Sequence, residues 1–79
     1  MSDRLIVREF LRTLLVAQGD SEPFSDSERL VARGRMQSVD TLEVVIFLEE
    51  KYGIDFAKIG FDQNQVGSVD DILELVGEK

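Results

Sequence analysis

The sequence predicts an all-α fold: a four-helix bundle of three main helices and one short one, with a long loop after the first, in a single domain covering residues 1–79. Three observations predict it. Residues 4–18 repeat apolar side chains at helical spacing. Residues 38–52 form a second long apolar stretch that opens on a serine and closes on Gly53. Residues 69–76 follow another serine and carry two aspartates in their first turn.

In the first stretch, "RLIVREFLRTLLVAQ", Ile6, Val7, Phe10, Leu14 and Ala17 recur at i, i+4, i+8 and related positions, the stripe of an amphipathic helix. Arg4, Arg8 and Arg12 form an i, i+4 row on another side, and Gly19 with Asp20 supplies a stop. Residues 19–37 hold Gly19, Pro23, Gly34 and three serines before the next helix, the composition of a loop. Within it, "SDSE" has capping-box spacing, and "ERLVARG" can add a helical turn that ends at Gly34. Leu30 and Val31 are expected to pin this loop to the core. The second helix is expected over residues 38–52, with Ser38 as its N-cap or Asp40 and Glu43 as a second capping-box register. "GIDF" is too short for a strand, and "FDQN" at 61–64 suits one short helical turn. The last helix, 69–76, has Ser68 as N-cap and Ile72, Leu73, Leu75 and Val76 as its apolar positions.

Composition narrows the chemistry. The 79 residues include no cysteine and no histidine. This excludes disulfides, thiolate metal sites, the common zinc sites, Ser-His hydrolysis and a histidine base. No apolar run approaches the ~20 residues of a membrane span. The N-terminus is charged within four residues and lacks a signal-peptide core, so the expected compartment is the cytoplasm. The formal charge is −7, which disfavours nucleic acid and anionic lipid as partners. Its distribution is uneven. Residues 1–35 hold six acids and six arginines, whereas residues 36–79 hold ten acids and three lysines. The whole excess therefore lies from the second helix onward, where it would steer a basic partner. Plain solubility accounts for the same excess.

On a helical wheel, Thr41, Val44, Val45, Leu48 and Tyr52 share one arc, an ordinary core face. Val39, Leu42 and Ile46 fall roughly opposite, with Glu43, Glu49 and Glu50 among or beside them. A narrow apolar stripe fringed by carboxylates has the composition of a docking patch. Full burial of this helix on both sides would trap three glutamates, which is costly. Ser38 lies at the edge of the stripe. With no histidine in the chain and Lys51 more than three turns away, nothing nearby activates its hydroxyl as a nucleophile. If Ser38 has chemistry beyond capping, that chemistry comes from modification by another enzyme.

These residues bring a family into view. "QSVDTLEVVIFLEEKYGIDF" resembles the phosphopantetheine-attachment segment of acyl carrier proteins: Asp-Ser-Leu, then an acidic apolar helix ending in Leu-Glu-Glu, an aromatic, Gly and Ile. The likeness extends weakly over the chain through "LVARG" and "SVDDILELV", in the manner of short discrete carriers of specialised pathways. The resemblance implies that Ser38 carries 4′-phosphopantetheine, transferred from coenzyme A by a phosphopantetheinyl transferase. The thiol of that arm would hold an acyl group as a thioester, and the protein itself would catalyse nothing. Val39 stands at the motif's leucine position, Leu42 and Ile46 at its exposed apolar positions, and Asp40, Glu43, Glu49 and Glu50 at its acidic recognition positions. Partners would be the transferase and acyl-transferring or acyl-activating enzymes with basic docking patches, met by a monomer through weak, fast association.

The sequence departs from the motif at Gln37, where the family has aspartate, a residue that helps the transferase recognise its target. Arg33 and Arg35 place positive charge just before the motif, either as a solvated loop or as a device that selects dedicated partners. The resemblance implies a carrier for a specialised lipid or secondary-metabolite pathway. An aminoacyl or D-alanyl carrier, or a carrier-like interaction module that is never modified, fits the same residues.

Overall fold

A computed structural model describes residues 2–60 and 63–77. Among them are four α-helices: α1 (Asp3–Ala17), α2 (Ser38–Tyr52), α3 (Phe56–Ile59) and α4 (Val69–Leu75). A 3₁₀ turn, Gln63–Val66, precedes α4, and no strand occurs among the described residues. The fold is all-α, as the periodicity predicts. None of the described helices is long and apolar enough to cross a membrane.

Helix α1 starts one residue earlier than expected because Ser2 caps it, its hydroxyl accepting from the Leu5 amide at 3.3 Å. Its buried line is Val7, Leu11 and Leu15, strictly i, i+4, i+8. Of the expected stripe, Val7 is on that line, and Ile6, Phe10, Leu14 and Ala17 flank it; Ala17 is exposed and the other three flanking residues are partly buried. The centre of the face was displaced because the helix carries apolar residues on both sides of it, and only packing chooses the middle. The helix ends as Gly19, at φ +88°, lets Asp20 N donate back to Leu15 O at 2.9 Å.

The core is one cluster in which Val7, Leu11 and Leu15 of α1 meet Val44 and Leu48 of α2, Phe56 of α3, Val66, and Val69, Ile72 and Leu73 of α4. Helix α1 packs on α4, and the 3₁₀ turn joins α4 to α2. At the edge, Phe10 and Phe47 stack at 4.1 Å between ring centres, and the Tyr52 hydroxyl reaches Asp3 Oδ1 at 3.1 Å.

The long loop is tied down along its length. Phe24, Leu30 and Met36 are buried, and Val31 packs against them in part. Leu30 N donates to Gly67 O at 2.7 Å, and Asp70 N to Asp26 O at 3.0 Å, so the loop backbone is joined to the start of α4. Arg4 and Arg8 of α1 both bond the Asp26 carboxylate, and Arg4 also reaches Asp70 Oδ1 at 3.2 Å. Two members of the arginine row, Arg4 and Arg8, thus fasten α1 to the loop. Residues 29–34 make the expected turn, with Arg33 N donating to Arg29 O at 3.0 Å and Gly34 at φ +78°, but not a regular helix.

The sequence reading lacks the helix at Phe56–Ile59, whereas the described part of the expected short turn, residues 63–64, lies in the 3₁₀ turn. "GIDF" leads directly into α3, because Asp55 accepts from Ala57 N at 3.0 Å and opens a helical turn at Phe56. The expected turn at 61–64 lies partly outside the described residues, which resume at the 3₁₀ turn. The last helix is as expected at its start, with Ser68 accepting from Asp71 N at 3.1 Å; Val76 is its C-cap rather than its last residue.

Candidate functional site

The site is the front and outer face of α2. The chain enters from Met36, buried at 3 % exposure, and its amide donates to Leu30 O at 3.0 Å. Gln37 is extended, at φ −100° and ψ 169°, and is the N-cap of α2. This corrects the expectation that Ser38 caps the helix. Ser38 is the first helical residue. The capping register is Gln37 with Asp40, since Asp40 Oδ2 accepts from Gln37 N at 2.9 Å. A carboxylate three residues after the cap position was the available signal.

Asp40 also departs from the role that the resemblance implies. It is only 8 % exposed, and its Oδ2 accepts a second bond, from Gln18 Nε2 at 2.7 Å. A carboxylate turned inward and shared between a helix cap and the end of α1 is not a surface recognition charge. Thr41, 1 % exposed, donates its hydroxyl to Ser38 O at 2.6 Å. Met36, Asp40 and Thr41 therefore anchor the segment from inside, while Ser38 is exposed between them.

The second apolar stripe is on the surface. Val39 is 63 % exposed, Leu42 57 % and Ile46 51 %, whereas Val44 and Leu48 on the same helix are fully buried. Glu43, Glu49 and Glu50 are exposed beside the stripe. Gln37 is exposed as well. Apart from Asp40, each residue expected at a docking face on α2 is where solvent or a partner can reach it.

The two arginines before the motif separate. Arg33 has a side chain 69 % exposed, with Nε 3.5 Å from Glu28 Oε2. Arg35 has a side chain 16 % exposed, and all five of its N–H donors have an acceptor. Nε and Nη2 bond the two oxygens of Asp20 at 2.9 and 3.1 Å. Nη1 bonds Glu28 Oε2 at 2.9 Å and Pro23 O at 3.2 Å, and Nη2 also bonds Glu22 O at 2.8 Å. Arg35 is a fastening of the loop and not a free selecting charge. Its guanidinium, with the Glu22 amide, holds the Asp20 carboxyl below the usual carboxylate range. Gln18 was not singled out from sequence, and Asp20 and Glu28 were read only as part of a helix stop and of a capping box. Their partners lie 7 to 22 residues away along the chain, and a glutamine at the end of a helix carries no local mark of such a role.

Chemically, the arrangement presents a hydroxyl. Lys51 is thirteen residues along the same helix, about 20 Å away at 1.5 Å per residue. With no histidine in the chain, no imidazole is at hand as a general base for Ser38. No protein-family model, curated protein or solved structure matches the chain.

Proposed function

We propose that this chain is a small acyl carrier protein, a four-helix bundle that holds an acyl intermediate as a thioester on 4′-phosphopantetheine attached to Ser38 Oγ and presents it to enzymes of a specialised lipid or secondary-metabolite pathway. The observation that carries the reading is the coincidence, on one side of α2, of an exposed serine in the first turn with three half-exposed apolar side chains and three exposed glutamates. The arm supplies the thiol that the chain lacks. Its phosphodiester would sit at the N-terminal end of α2, where the helix dipole favours negative charge. The apolar stripe offers desolvation energy to a docking enzyme, and the glutamates offer attraction to a basic patch, a combination suited to brief, repeated encounters.

The test is loading. The protein incubated with coenzyme A and a broad phosphopantetheinyl transferase is expected to gain one phosphopantetheine, mapped by mass spectrometry to Ser38, and Ser38→Ala to gain none while keeping its helical circular dichroism. Because Gln37 is the cap, this substitution is expected to cost less than the ~1 kcal/mol of a lost N-cap. Loading of the Ser38→Ala protein, or no loading of the wild type by this transferase or those of the native host, overturns the reading. Material from the native host names the cargo: an aminoacyl or D-alanyl thioester would move the protein to that kind of carrier.

A further inference from the structure

The residues just beyond the end of α1 grip the chain on both sides of Ser38. Three residues before the serine, Arg35 is bound through both oxygens of Asp20; two residues after it, Asp40 is bound by Gln18. Gln18 and Asp20 are two positions apart just beyond the C-terminal end of α1, an element whose buried line is in the centre of the core. The Arg35 and Met36 amides both donate to Leu30 O, at 2.8 and 3.0 Å, so the same grip also closes the loop turn.

We propose that Arg35 and Gln18 are positioning residues: with Asp20 and Asp40 they form a clamp that sets the conformation of residues 35–40 and so presents Ser38 to the modifying enzyme. The proposal rests on the reading of Ser38 as the attachment residue for its functional part, and on geometry alone for its structural part. The guanidinium is suited to this role because its planar fork meets a carboxylate side-on and fixes direction as well as distance. An ammonium at the same place would keep the charge and lose the direction. Without the clamp, the segment samples conformations that the transferase cannot use, and apparent affinity falls by the fraction that remains competent.

A selecting charge at Arg35 makes the opposite forecast. If Arg35 repelled a general transferase, Arg35→Gln would speed loading and Arg35→Lys would leave it unchanged. Under the clamp, both slow it. The experiment compares Arg35→Gln, Arg35→Lys and Gln18→Ala with the wild type in two measurements. One is site-resolved amide hydrogen exchange; the other is the KM and kcat of loading with a broad transferase. Gln18 is exposed, so its truncation leaves the core intact if the arginine variants fold poorly.

Exchange at the Met36, Gln37 and Asp40 amides is expected to rise by roughly tenfold over the change at core amides such as Leu11 and Ile72, the size of one lost charge-assisted hydrogen bond. Loading is expected to slow through KM, with kcat largely retained. Equal exchange changes at residues 36–40 and in the core would reduce these residues to general stabilisers and overturn the clamp. So would faster loading of Arg35→Gln. If the wild-type protein takes up no phosphopantetheine, the carrier reading fails, and the exchange data still decide whether the clamp holds the segment.

Discussion

Leu42 and Leu48 are the same residue on the same helix, and truncating each to alanine separates docking from folding. Leu48 is fully buried and Leu42 is 57 % exposed. Leu→Ala removes three carbons, worth about 2.4 kcal/mol in full burial at ~0.8 kcal/mol per CH₂. At Leu48 all of that is lost from the fold together with a cavity term, so Leu48→Ala is expected to cost about 2–5 kcal/mol. The whole protein has about 4–12 kcal/mol to lose, at ~0.05–0.15 kcal/mol per residue, so this variant is near unfolding. At Leu42 the buried fraction accounts for only about 1 kcal/mol of the transfer value, and the better helix propensity of alanine offsets part of that. The exposed fraction, about 1.4 kcal/mol, is what a partner would recover by covering the side chain, so Leu42→Ala is expected to lower kcat/KM for loading about tenfold. The assay is the loading rate at sub-saturating protein, paired with urea unfolding of each variant. A Leu42→Ala protein that loads at the wild-type rate would refute the docking face. A loss of stability as large as that of Leu48→Ala would refute the burial argument itself.

Glu43→Lys and Glu49→Lys should each weaken enzyme docking by up to about fivefold at low salt, since an exposed pair is worth ~0.2–1 kcal/mol, and the salt dependence of loading should flatten; urea midpoints are expected to stay close to wild type because both side chains are exposed. Gln37→Asp should raise loading by a general transferase a few-fold at low salt, with the gain shrinking as salt rises, and should slightly stabilise α2, because aspartate is a preferred N-cap; no gain with any transferase would mean that the charge at this position is not read. Stability should fall in acid. Loss of hydration raises the Asp26 pKa, but Arg4 and Arg8 outweigh it and hold the carboxyl below its ordinary value, as Arg35 does for Asp20. Carboxyls depressed in the folded state stabilise it above their unfolded value of about 3.9, and that stabilisation is lost as pH falls below about 5 and through the folded values. Urea midpoints measured from pH 7 to pH 3 should therefore drop, and Asp26→Asn should flatten the slope; an unchanged slope in that variant would remove Asp26 as a source.

What the sequence by itself determined is whatever depends on near neighbours along the chain. The limits of α2, the cap at Ser68, the glycine stops at residues 19 and 53, and the outward stripe of Val39, Leu42 and Ile46 all follow from spacing within about four residues, and the structure has them as expected. The exposed serine in front of that stripe was legible for the same reason. The start of α3 was not, because one capping aspartate and four residues carry too little periodicity to mark a helix. Only the tertiary structure decided which line of α1 is central, and it chose Val7, Leu11 and Leu15 by what α4 and α2 bring against them. It likewise decided which charges are free. Asp40 and Glu43 read alike as acids on one helix, and Arg33 and Arg35 as cations in one loop, yet one of each pair is turned inward to partners that lie up to 22 residues away along the chain. A charge in water and a charge with its partners already in place have the same letter in a sequence. They differ only in what the folded chain sets opposite them, and that difference separates the residues a partner can touch from those that hold the site in shape.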